Sequence, residues 1–499
     1  MRRYFSFKSL AVFAAAVFAA IYFVTAIPRV LYPYDLDFVE DGLLMHSLRF
    51  AQGQPVYAAP SADFAADNYT PLYLWLGGLL FKFTGPGLLP LRLSSLAATL
   101  TTAALIFCIA RRESGLVWLG LACAGLYLGG HRISGFWYEL ARVDSLFVTL
   151  TLGGVVLGIY SRPAGSLETR RVLAAVVLSL AFFTKQTGAA FAVWLFIHLL
   201  ITQGRRAWLF GIAYSALTII PFILLNIASD GWFAFYTLGI ASGNPVEWER
   251  AARYVVFELF GVMGGLSVLL ALAGILAWRR AGWGAIRVQP WLAAMAVAIF
   301  VSGVGRSSVG GNLNNLMIGY GFLCLAPAIL MRELREHPLT PRRTSGVPHW
   351  HIRLISAAII IQFALGVYNP LRYIPTPEMR QSGDRLVARI AAIDGEVLVM
   401  MHPYYALLAG KTPSAQIAML WRAHARGGLP LPEDFTERIR DGYYSAIISD
   451  ETLFETDPAI RELLAAYYAP TAILETSESP PAITGMFARP QVIYIPKEP

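Results

Sequence analysis

Long apolar runs separated by short polar segments dominate the chain up to about residue 370. The first run, Ser9 to about Ile27, is rich in alanine, valine and phenylalanine and follows a basic amino-terminal segment. A helix needs about 20 apolar residues to cross a bilayer, so the pattern predicts a polytopic α-helical membrane protein with about eleven transmembrane helices. The other predicted spans are about 91–110, 115–131, 145–160, 172–184, 188–203, 207–227, 255–278, 290–304, 316–331 and 353–369.

Two shorter helices are predicted in the loop between the first two spans. Val39 to Gln52 has helical spacing, with leucines on one face and Glu40, Asp41 and Ser47 on the other. This pattern predicts an amphipathic helix lying on the bilayer surface. Pro71 to Phe83 is apolar but short for a crossing, and it is predicted to be a second juxtamembrane helix.

A charge interrupts an otherwise continuous apolar stretch at Thr184-Lys185-Gln186. We expect two short helices that meet there in a hairpin. The alternative is one long helix in which the Lys185 ammonium reaches the interface along its aliphatic stem. That alternative would invert the orientation of every later span.

Composition and charge agree with a membrane location. Hydrophobic residues make up 56% of the chain and charged residues only 14%, far from the average of soluble proteins. The formal net charge is +8, but the basic residues lie in alternate connections, as the positive-inside rule predicts. We therefore expect a multi-pass plasma (inner) membrane protein with a cytoplasmic amino terminus, an extracytoplasmic first loop and no nucleic-acid partner. The connections assigned to the cytoplasm hold Arg111, Arg112, Arg162, Arg170, Arg171, Arg205, Arg206, Arg279, Arg280, Arg287, Arg332, Arg335, Arg342, Arg343 and Arg353.

The last quarter of the chain has a different composition, with polar helices, turn residues and more acids than bases. We expect residues 1–370 to form the membrane domain and residues 371–499 a small soluble extracytoplasmic α/β domain that serves as a cap or acceptor platform. Its predicted strands are Glu396 to Met401 and Ser445 to Ser449, with possible additions at Thr471 to Glu475 and Gln491 to Ile495; its predicted helices are Glu378 to Ala392, Glu433 to Asp441 and Pro458 to Tyr468.

The first outer loop places four carboxylates beside the membrane, those of Asp35, Asp37, Glu40 and Asp41. Ionisable side chains are costly to place near lipid and mark candidate functional sites. Glu40 and Asp41 are the candidate catalytic bases, although acids also favour the first turn of a helix for electrostatic reasons. Asp35 and Asp37 could bind a divalent metal together with Asp41, or could simply be solvated.

Cations from later loops are predicted to reach the same face. Arg142 and Lys185 are candidate phosphate contacts, and Arg306 is a further one. Asp144 joins this group as a partner of Arg142, which could equally be an ion pair that caps a helix. Carboxylates and cations on one side of a bilayer suit a transfer in which a base activates a hydroxyl while cations stabilise a departing phosphate. No metal ligand set is assigned, and a cofactor other than a divalent metal is not indicated.

Four short motifs mark the outer ends of the predicted helices. They are Glu40-Asp41-Gly42, Tyr69-Thr70-Pro71-Leu72-Tyr73, Ala141-Arg142-Val143-Asp144-Ser145 and Phe183-Thr184-Lys185-Gln186-Thr187-Gly188. With these motifs, the layout over roughly residues 1–370 resembles the GT-C class of membrane glycosyltransferases. It is most similar to the Rgt-type and family-39-like enzymes, relatives of protein O-mannosyltransferases and aminoarabinose lipid A transferases.

The resemblance implies a polyprenyl-phosphate-linked sugar as donor, a glycan, lipid or protein acceptor, and reaction at the outer face of the membrane. The family carries an Asp-Glu pair in this loop, whereas here the order is Glu40-Asp41. The identity of the base therefore stays open, and Asp35-Leu36-Asp37 is a rival within reach. A rival hypothesis is a transporter or flippase of a lipid-linked saccharide. Transporters often show inverted repeats and broken helices at mid-membrane depth, and no convincing internal repeat is visible here.

Overall fold

The computed structural model describes residues 6–160, 167–336, 349–450, 457–486 and 488–498. Of the basic residues counted above, Arg162, Arg342 and Arg343 lie outside the described residues. The first half of the helical bundle consists of α1 (Phe7–Leu31), α2 (Phe38–Ala51), α3 (Leu72–Thr84), α4 (Leu88–Ser114), α5 (Val117–Gly129), α6 (Val143–Ile159), α7 (Leu167–Thr184), α8 (Ala189–Gln203) and α9 (Ala207–Ala228).

The second half contains several short helices and four long ones. The α-helices are α10 (Trp232–Ala234), α11 (Ile240–Ser242), α12 (Trp248–Arg253), α13 (Gly264–Ala281), α14 (Ala285–Val288), α15 (Pro290–Ser307), α16 (Leu316–Leu323), α17 (Ala326–Glu336) and α18 (His349–Leu365). Two π-helical segments, Phe235–Gly239 and Tyr254–Val262, lie between them.

A helix occurs at each predicted span and at both predicted loop helices. Within the described residues, six helical stretches are long and apolar enough to cross a membrane. One of them, Gln186–Ala228, folds back on itself. The evidence is that the rings of Phe196 and Trp208 are only 5.2 Å apart. Twelve residues of straight helix would separate them by about 18 Å. The chain reverses at Gly204, whose φ of 60° suits a residue without Cβ.

The predicted helix break at Lys185 is confirmed. Helix α7 ends at Thr184, Lys185 has extended backbone angles, and a 3₁₀ turn over Gln186–Gly188 leads into α8. One continuous helix through Lys185 is therefore excluded.

Two details of the predicted helices are wrong. The span predicted over 255–278 is divided at Met263 into the π-helical segment and α13, where the glycines of Gly261-Val262-Met263-Gly264-Gly265 weaken a regular helix. Helix α2 does not lie on the surface with an exposed polar face, since Glu40, Asp41 and Ser47 are all buried. Side chains from α4 and from the carboxyl-terminal segment cover that face.

The carboxyl-terminal segment forms the predicted α/β layer. Its elements are α19 (Pro377–Ala391), β1 (Glu396–Val399), α20 (Pro403–Leu408), α21 (Ile417–Trp421), α22 (Glu433–Arg440), β2 (Tyr444–Ser449), α23 (Pro458–Tyr467), β3 (Tyr468–Ile473) and β4 (Val492–Pro496). The sheet has the order β1-β2-β4-β3, with β1 and β2 parallel and the other two pairs antiparallel. Val397 pairs with Ala446 and Ile448 with Ile493.

This α/β layer packs directly on the first loop and on the end of α1. The buried guanidinium of Arg29 pairs with Glu139 and donates hydrogen bonds to the Phe136 carbonyl at 2.8 Å and to the Thr484 hydroxyl at 2.8 Å. The Thr484 N–H in turn donates to the Leu36 carbonyl at 3.0 Å. The loop that carries the acidic residues is therefore enclosed between the helical bundle and the α/β layer.

Candidate active site

Glu40 is held rigidly at the start of α2. Its two oxygens accept hydrogen bonds from Arg92 at 2.8 and 2.6 Å, and both side chains are completely buried. They also accept from the backbone N–H groups of Leu36 at 2.9 Å and Ala141 at 2.7 Å. Four donors satisfy this carboxylate, which ties the first loop to α4 and to the segment before α6.

Asp41, the next residue, is in the opposite situation. Its side chain is fully buried, yet within the described part of the chain neither carboxylate oxygen accepts a hydrogen bond of ordinary geometry. The backbone N–H of Tyr404 lies close to Asp41 and lowers the pKa of its carboxyl, but this is the smallest of the contributions. Buried carboxylates are normally hydrogen-bonded, so an unsatisfied one points to a functional role.

Asp41 faces a histidine from the α/β layer. His402 Nδ1 lies 2.7 Å from Asp35 Oδ2 and 4.0 Å from Asp41 Oδ2, and His402 Nε2 lies 3.0 Å from Asp450 Oδ2. All four side chains are buried. The loop and the carboxyl-terminal segment thus share one cluster of three carboxylates around one imidazole.

Burial and the charges in this cluster shift the pKa values of its side chains in opposite directions. Burial, with the charge of Asp35 adding to it, raises the pKa of Asp41 well above its usual value. Burial disfavours the charge on His402, but Asp35 and Asp450 outweigh it and raise the pKa of the imidazole. Burial also opposes ionisation of Asp35, and the His402 charge overcomes it and lowers the pKa of that carboxyl.

A second cluster is built from Asp37, Arg142, Asp144 and Lys185. Arg142 donates to Asp37 at 2.6 Å and to Asp144 at 3.3 Å, and Trp137 Nε1 donates to Asp37 at 2.7 Å. Lys185 Nζ lies 2.9 Å from Asp144 Oδ1. Four residues that the sequence analysis named as candidate site residues are therefore linked by direct contacts. Ala141, which precedes Arg142, donates its N–H to Glu40 and so connects this cluster with α2.

Lys185 is the cation of this cluster that borders open space. It lines a small cavity together with Asp144, Thr187 and Asn315. Its ammonium contacts Asp144 and Asn315, which leaves one of its three N–H groups for another acceptor. The Thr187 hydroxyl has no partner among the described residues. Because the amino terminus of α8 follows directly, the cavity suits an anion.

Arg306 has a different environment. Its guanidinium pairs with Glu258 at 2.8 Å and donates to the Gly311 carbonyl at 3.0 Å. Neither contact belongs to the cluster around Asp144. Of the predicted site residues, Arg306 is the one that the described contacts do not connect with the others.

The sequence reasoning missed the contribution of the carboxyl-terminal segment. His402 follows strand β1 and Asp450 follows strand β2, and these strands are parallel neighbours. Ligand-binding residues of open α/β sheets gather beyond the carboxyl ends of parallel strands. That rule, applied to the two strands predicted from sequence, would have brought His402 and Asp450 together.

One group of side chains could hold a metal ion. Asp35, Asp41 and His402 each bring one ligand atom to within 4.8 Å of the others. Asp37, which the sequence analysis considered for this role, is engaged by Arg142 and Trp137 and is not part of the group.

Comparison with known proteins finds similarity in structure alone. No protein-family model matches the chain, and no curated protein matches it in sequence. The structure is similar to ArnT from Cupriavidus metallidurans, which was solved bound to undecaprenyl phosphate, with a TM-score of 0.61, 13% identity and 98% of each chain covered. The apo form of ArnT gives a TM-score of 0.59 at 14% identity, with 97% of each chain covered.

Two further proteins share the arrangement. The archaeal oligosaccharyltransferase AglB from Archaeoglobus fulgidus, solved with an inhibitory peptide and a dolichol-phosphate, matches with a TM-score of 0.51 and 11% identity over 93% of this chain and 73% of its own. The arabinofuranosyltransferase AftD from Mycobacteria matches with a TM-score of 0.50 and 14% identity over 99% of this chain and 40% of its own. All three are GT-C glycosyltransferases, and the resemblance predicted from sequence is confirmed at the level of the fold.

Proposed function

We propose that this chain, which has the GT-C fold, is a glycosyltransferase that moves a sugar from a polyprenyl-phosphate-linked donor to an acceptor hydroxyl at the outer face of the membrane. The observation that carries the proposal is the buried carboxylate of Asp41, which has no hydrogen-bond partner among the described residues, whereas Asp35, Asp37 and Glu40 beside it are all engaged. The similar ArnT structure contains undecaprenyl phosphate and the AglB structure a dolichol-phosphate, which supports a lipid phosphate as the donor's leaving group.

Asp41 rather than Glu40 is the base in this mechanism. The oxygens of Glu40 already accept four hydrogen bonds and are not free to meet an acceptor hydroxyl, whereas burial raises the pKa of Asp41. A base works best when its pKa lies near the operating pH. Asp41 takes the proton of the acceptor hydroxyl as the oxygen bonds to the anomeric carbon and the bond from that carbon to the phosphate oxygen breaks.

Lys185 receives the departing lipid phosphate. Lys185 and Thr187 border the same cavity, and α8 begins two residues after Thr187, at Ala189. Arg142 is buried between Asp37 and Asp144, so it positions Asp144 and through it Lys185 rather than meeting the phosphate. Charge that develops on the leaving oxygen is stabilised by donors already in place.

The position of these groups favours transfer over transport of an intact lipid. Asp41 lies in the first turn of α2, Asp144 in the first turn of α6, and Lys185 just beyond the end of α7. In secondary transporters the substrate groups lie near the membrane midplane at broken helices. Eleven crossings, with the carboxyl-terminal α/β layer outside the cytoplasm, would place all three groups on the outer side.

The test is a comparison of three strains by mass spectrometry of their glycolipids and glycoproteins. One strain lacks the gene, one is complemented with the wild-type chain, and one with Asp41→Asn. We expect an envelope molecule that gains the mass of one sugar residue only in the wild-type complemented strain. Identical profiles in the wild-type and Asp41→Asn strains would contradict the proposal, and a matched Asp63→Asn strain controls for loss of a surface carboxylate.

A further inference from the structure

A groove lies between the last turns of α4 and α6. The Thr102 hydroxyl of α4 lies 2.8 Å from the Thr149 hydroxyl of α6. Further along both helices, the Tyr160 hydroxyl donates to Glu113 Oε1 at 2.6 Å. The two helices therefore run side by side in the same direction. The groove between their ends has a volume of about 440 Å³, which is within the usual range of ligand sites, about 300 to 1,000 Å³.

This groove lies one membrane thickness away from the candidate active site. Helix α4 is continuous; near its start Arg92 binds Glu40, and near its end Arg111 lines the groove. At 1.5 Å per residue, the helix rises by about 28 Å from Arg92 to Arg111. The hydrocarbon core of a bilayer is about 30 Å thick. The groove therefore lies at the level of the lipid headgroups on the membrane face opposite the acidic loop.

The groove has an apolar part and a basic end. Leu105 and Val156, which lie towards the middle of the membrane, line the apolar part. Arg111 and Arg112 line the end at headgroup level, and both are exposed. Among the described residues neither guanidinium forms an ion pair or a hydrogen bond, and Arg112 lies 3.8 Å from the centre of the Tyr160 ring. Two cations without a counter-charge beside an apolar wall suit an amphiphilic anion.

The neighbouring acid, Glu113, does not neutralise these arginines. Its carboxylate accepts from the Tyr160 hydroxyl and pairs with Arg332 of α17 at 2.5 Å. Trp291 Nε1 also donates to the Tyr160 hydroxyl, at 3.3 Å, so the ring beneath Arg112 is held from two sides. The positive end of the groove is therefore preformed and open to a ligand.

We propose that an anionic phospholipid binds in this groove, with its phosphate on Arg111 and Arg112 and an acyl chain along Leu105 and Val156. Basic pockets between transmembrane helices bind anionic lipid headgroups. The planar guanidinium suits a phosphate because it can donate to two oxygens at once. The groove lies far from the cavity at Lys185, and the inference does not depend on the proposed sugar transfer.

The test is native mass spectrometry of the purified, delipidated full chain in detergent, titrated with phosphatidylglycerol or phosphatidylcholine. We expect one saturable site for phosphatidylglycerol and clearly weaker binding of phosphatidylcholine. An arginine near an anionic lipid contributes a factor of about five in affinity, so the double variant Arg111→Gln with Arg112→Gln should bind at least about tenfold more weakly. The matched control, Arg205→Gln with Arg279→Gln, removes two exposed arginines from the same end of the bundle and should change the affinity by less than about twofold.

Cys108 provides a second measurement, at the groove itself. It lines the groove and is exposed, whereas Cys123 and Cys324 are buried. Bound phosphatidylglycerol should slow the reaction of Cys108 with N-ethylmaleimide several-fold, and inorganic phosphate should not. Because this protection is measured on the wild-type chain, it decides the proposal even if the glutamine variant fails to fold. The variant Arg111→Lys with Arg112→Lys keeps both charges and should retain more of the binding than the glutamine variant.

The proposal is overturned if phosphatidylcholine binds as tightly as phosphatidylglycerol, or if the folded glutamine variant keeps the wild-type affinity. It is also overturned if saturating phosphatidylglycerol leaves the labelling rate of Cys108 unchanged. Protection by inorganic phosphate alone would contradict it as well and identify a site for a free anion. No sugar donor is present in these measurements, so their outcome leaves the proposed function untouched.

Discussion

Replacing Glu40 and Asp41 singly by their amides should separate stability from activity. The two acids are adjacent in sequence and equally buried, but Glu40 accepts four hydrogen bonds and Asp41 accepts none within the described residues. Their roles therefore differ in a way that the pair of substitutions can measure.

Glu40→Gln leaves the Arg92 guanidinium buried opposite a neutral amide. Breaking a buried ion pair by removing one partner costs about 3 to 5 kcal/mol, so this variant should unfold at a clearly lower temperature. Asp41→Asn loses no hydrogen bond and removes a buried charge beside Asp35, so its midpoint should equal or exceed that of the wild-type chain. Loss of a general base lowers turnover by about 10²- to 10⁴-fold.

The assay combines thermal unfolding of the detergent-solubilised variants with turnover of a lipid-linked donor at a temperature where both are folded. Folded Glu40→Gln should retain more turnover than Asp41→Asn. The reasoning is refuted if Asp41→Asn keeps wild-type turnover, or if Glu40→Gln is as stable as the wild-type chain.

Three further predictions follow from the contacts. Lys185→Met should weaken binding of undecaprenyl phosphate by at least about tenfold, since a hydrogen bond to a charged group contributes about 1.5 to 3 kcal/mol. The control Arg306→Met, which breaks the pair with Glu258, should change that affinity by less than about twofold. Isothermal titration calorimetry measures the affinity of both variants. His402→Gln should lower the temperature at which the α/β layer separates from the first loop, as hydrogen exchange of both segments would report. Burial opposes ionisation of Glu139, but the neighbouring His131 and Arg29 outweigh it and lower the pKa of Glu139 from 4.5 to about 2. This shift contributes about 3 kcal/mol of stability above pH 4.5 that is lost as the pH falls towards 2. Glu139→Gln should therefore flatten the fall of the unfolding temperature over this pH range.

Most of the helical fold could be predicted from the pattern of apolar and polar residues. Long apolar runs predicted a helix at each span, and the break at Lys185 followed from one charge in an apolar run. Periodicity failed for α2, because a polar helix face covered by other protein has the same pattern as one exposed to water. The apolar run over 255–278 did not indicate the break at Met263, because the π-helical segment and α13 are both apolar.

The site was predictable where partners lie in neighbouring loops of the bundle. Asp37, Arg142, Asp144 and Lys185 were expected to meet, and they are in contact. The histidine that faces Asp41 was not foreseen, because His402 is far away in sequence and is brought to the loop only by the docking of the α/β layer. Long-range contacts of this kind depend on tertiary packing, which local patterns do not encode.

The most direct test of the account follows two labels through one reaction. A polyprenyl-phosphate sugar labelled separately in the sugar and in the phosphate is incorporated into sealed proteoliposomes with membrane extract as the acceptor source. The account predicts that the sugar label moves to an acceptor while the phosphate label stays on the lipid, and that Asp41→Asn abolishes this separation. Movement of both labels together across the bilayer, with no cleavage of the sugar-phosphate bond, would contradict it and identify a transporter.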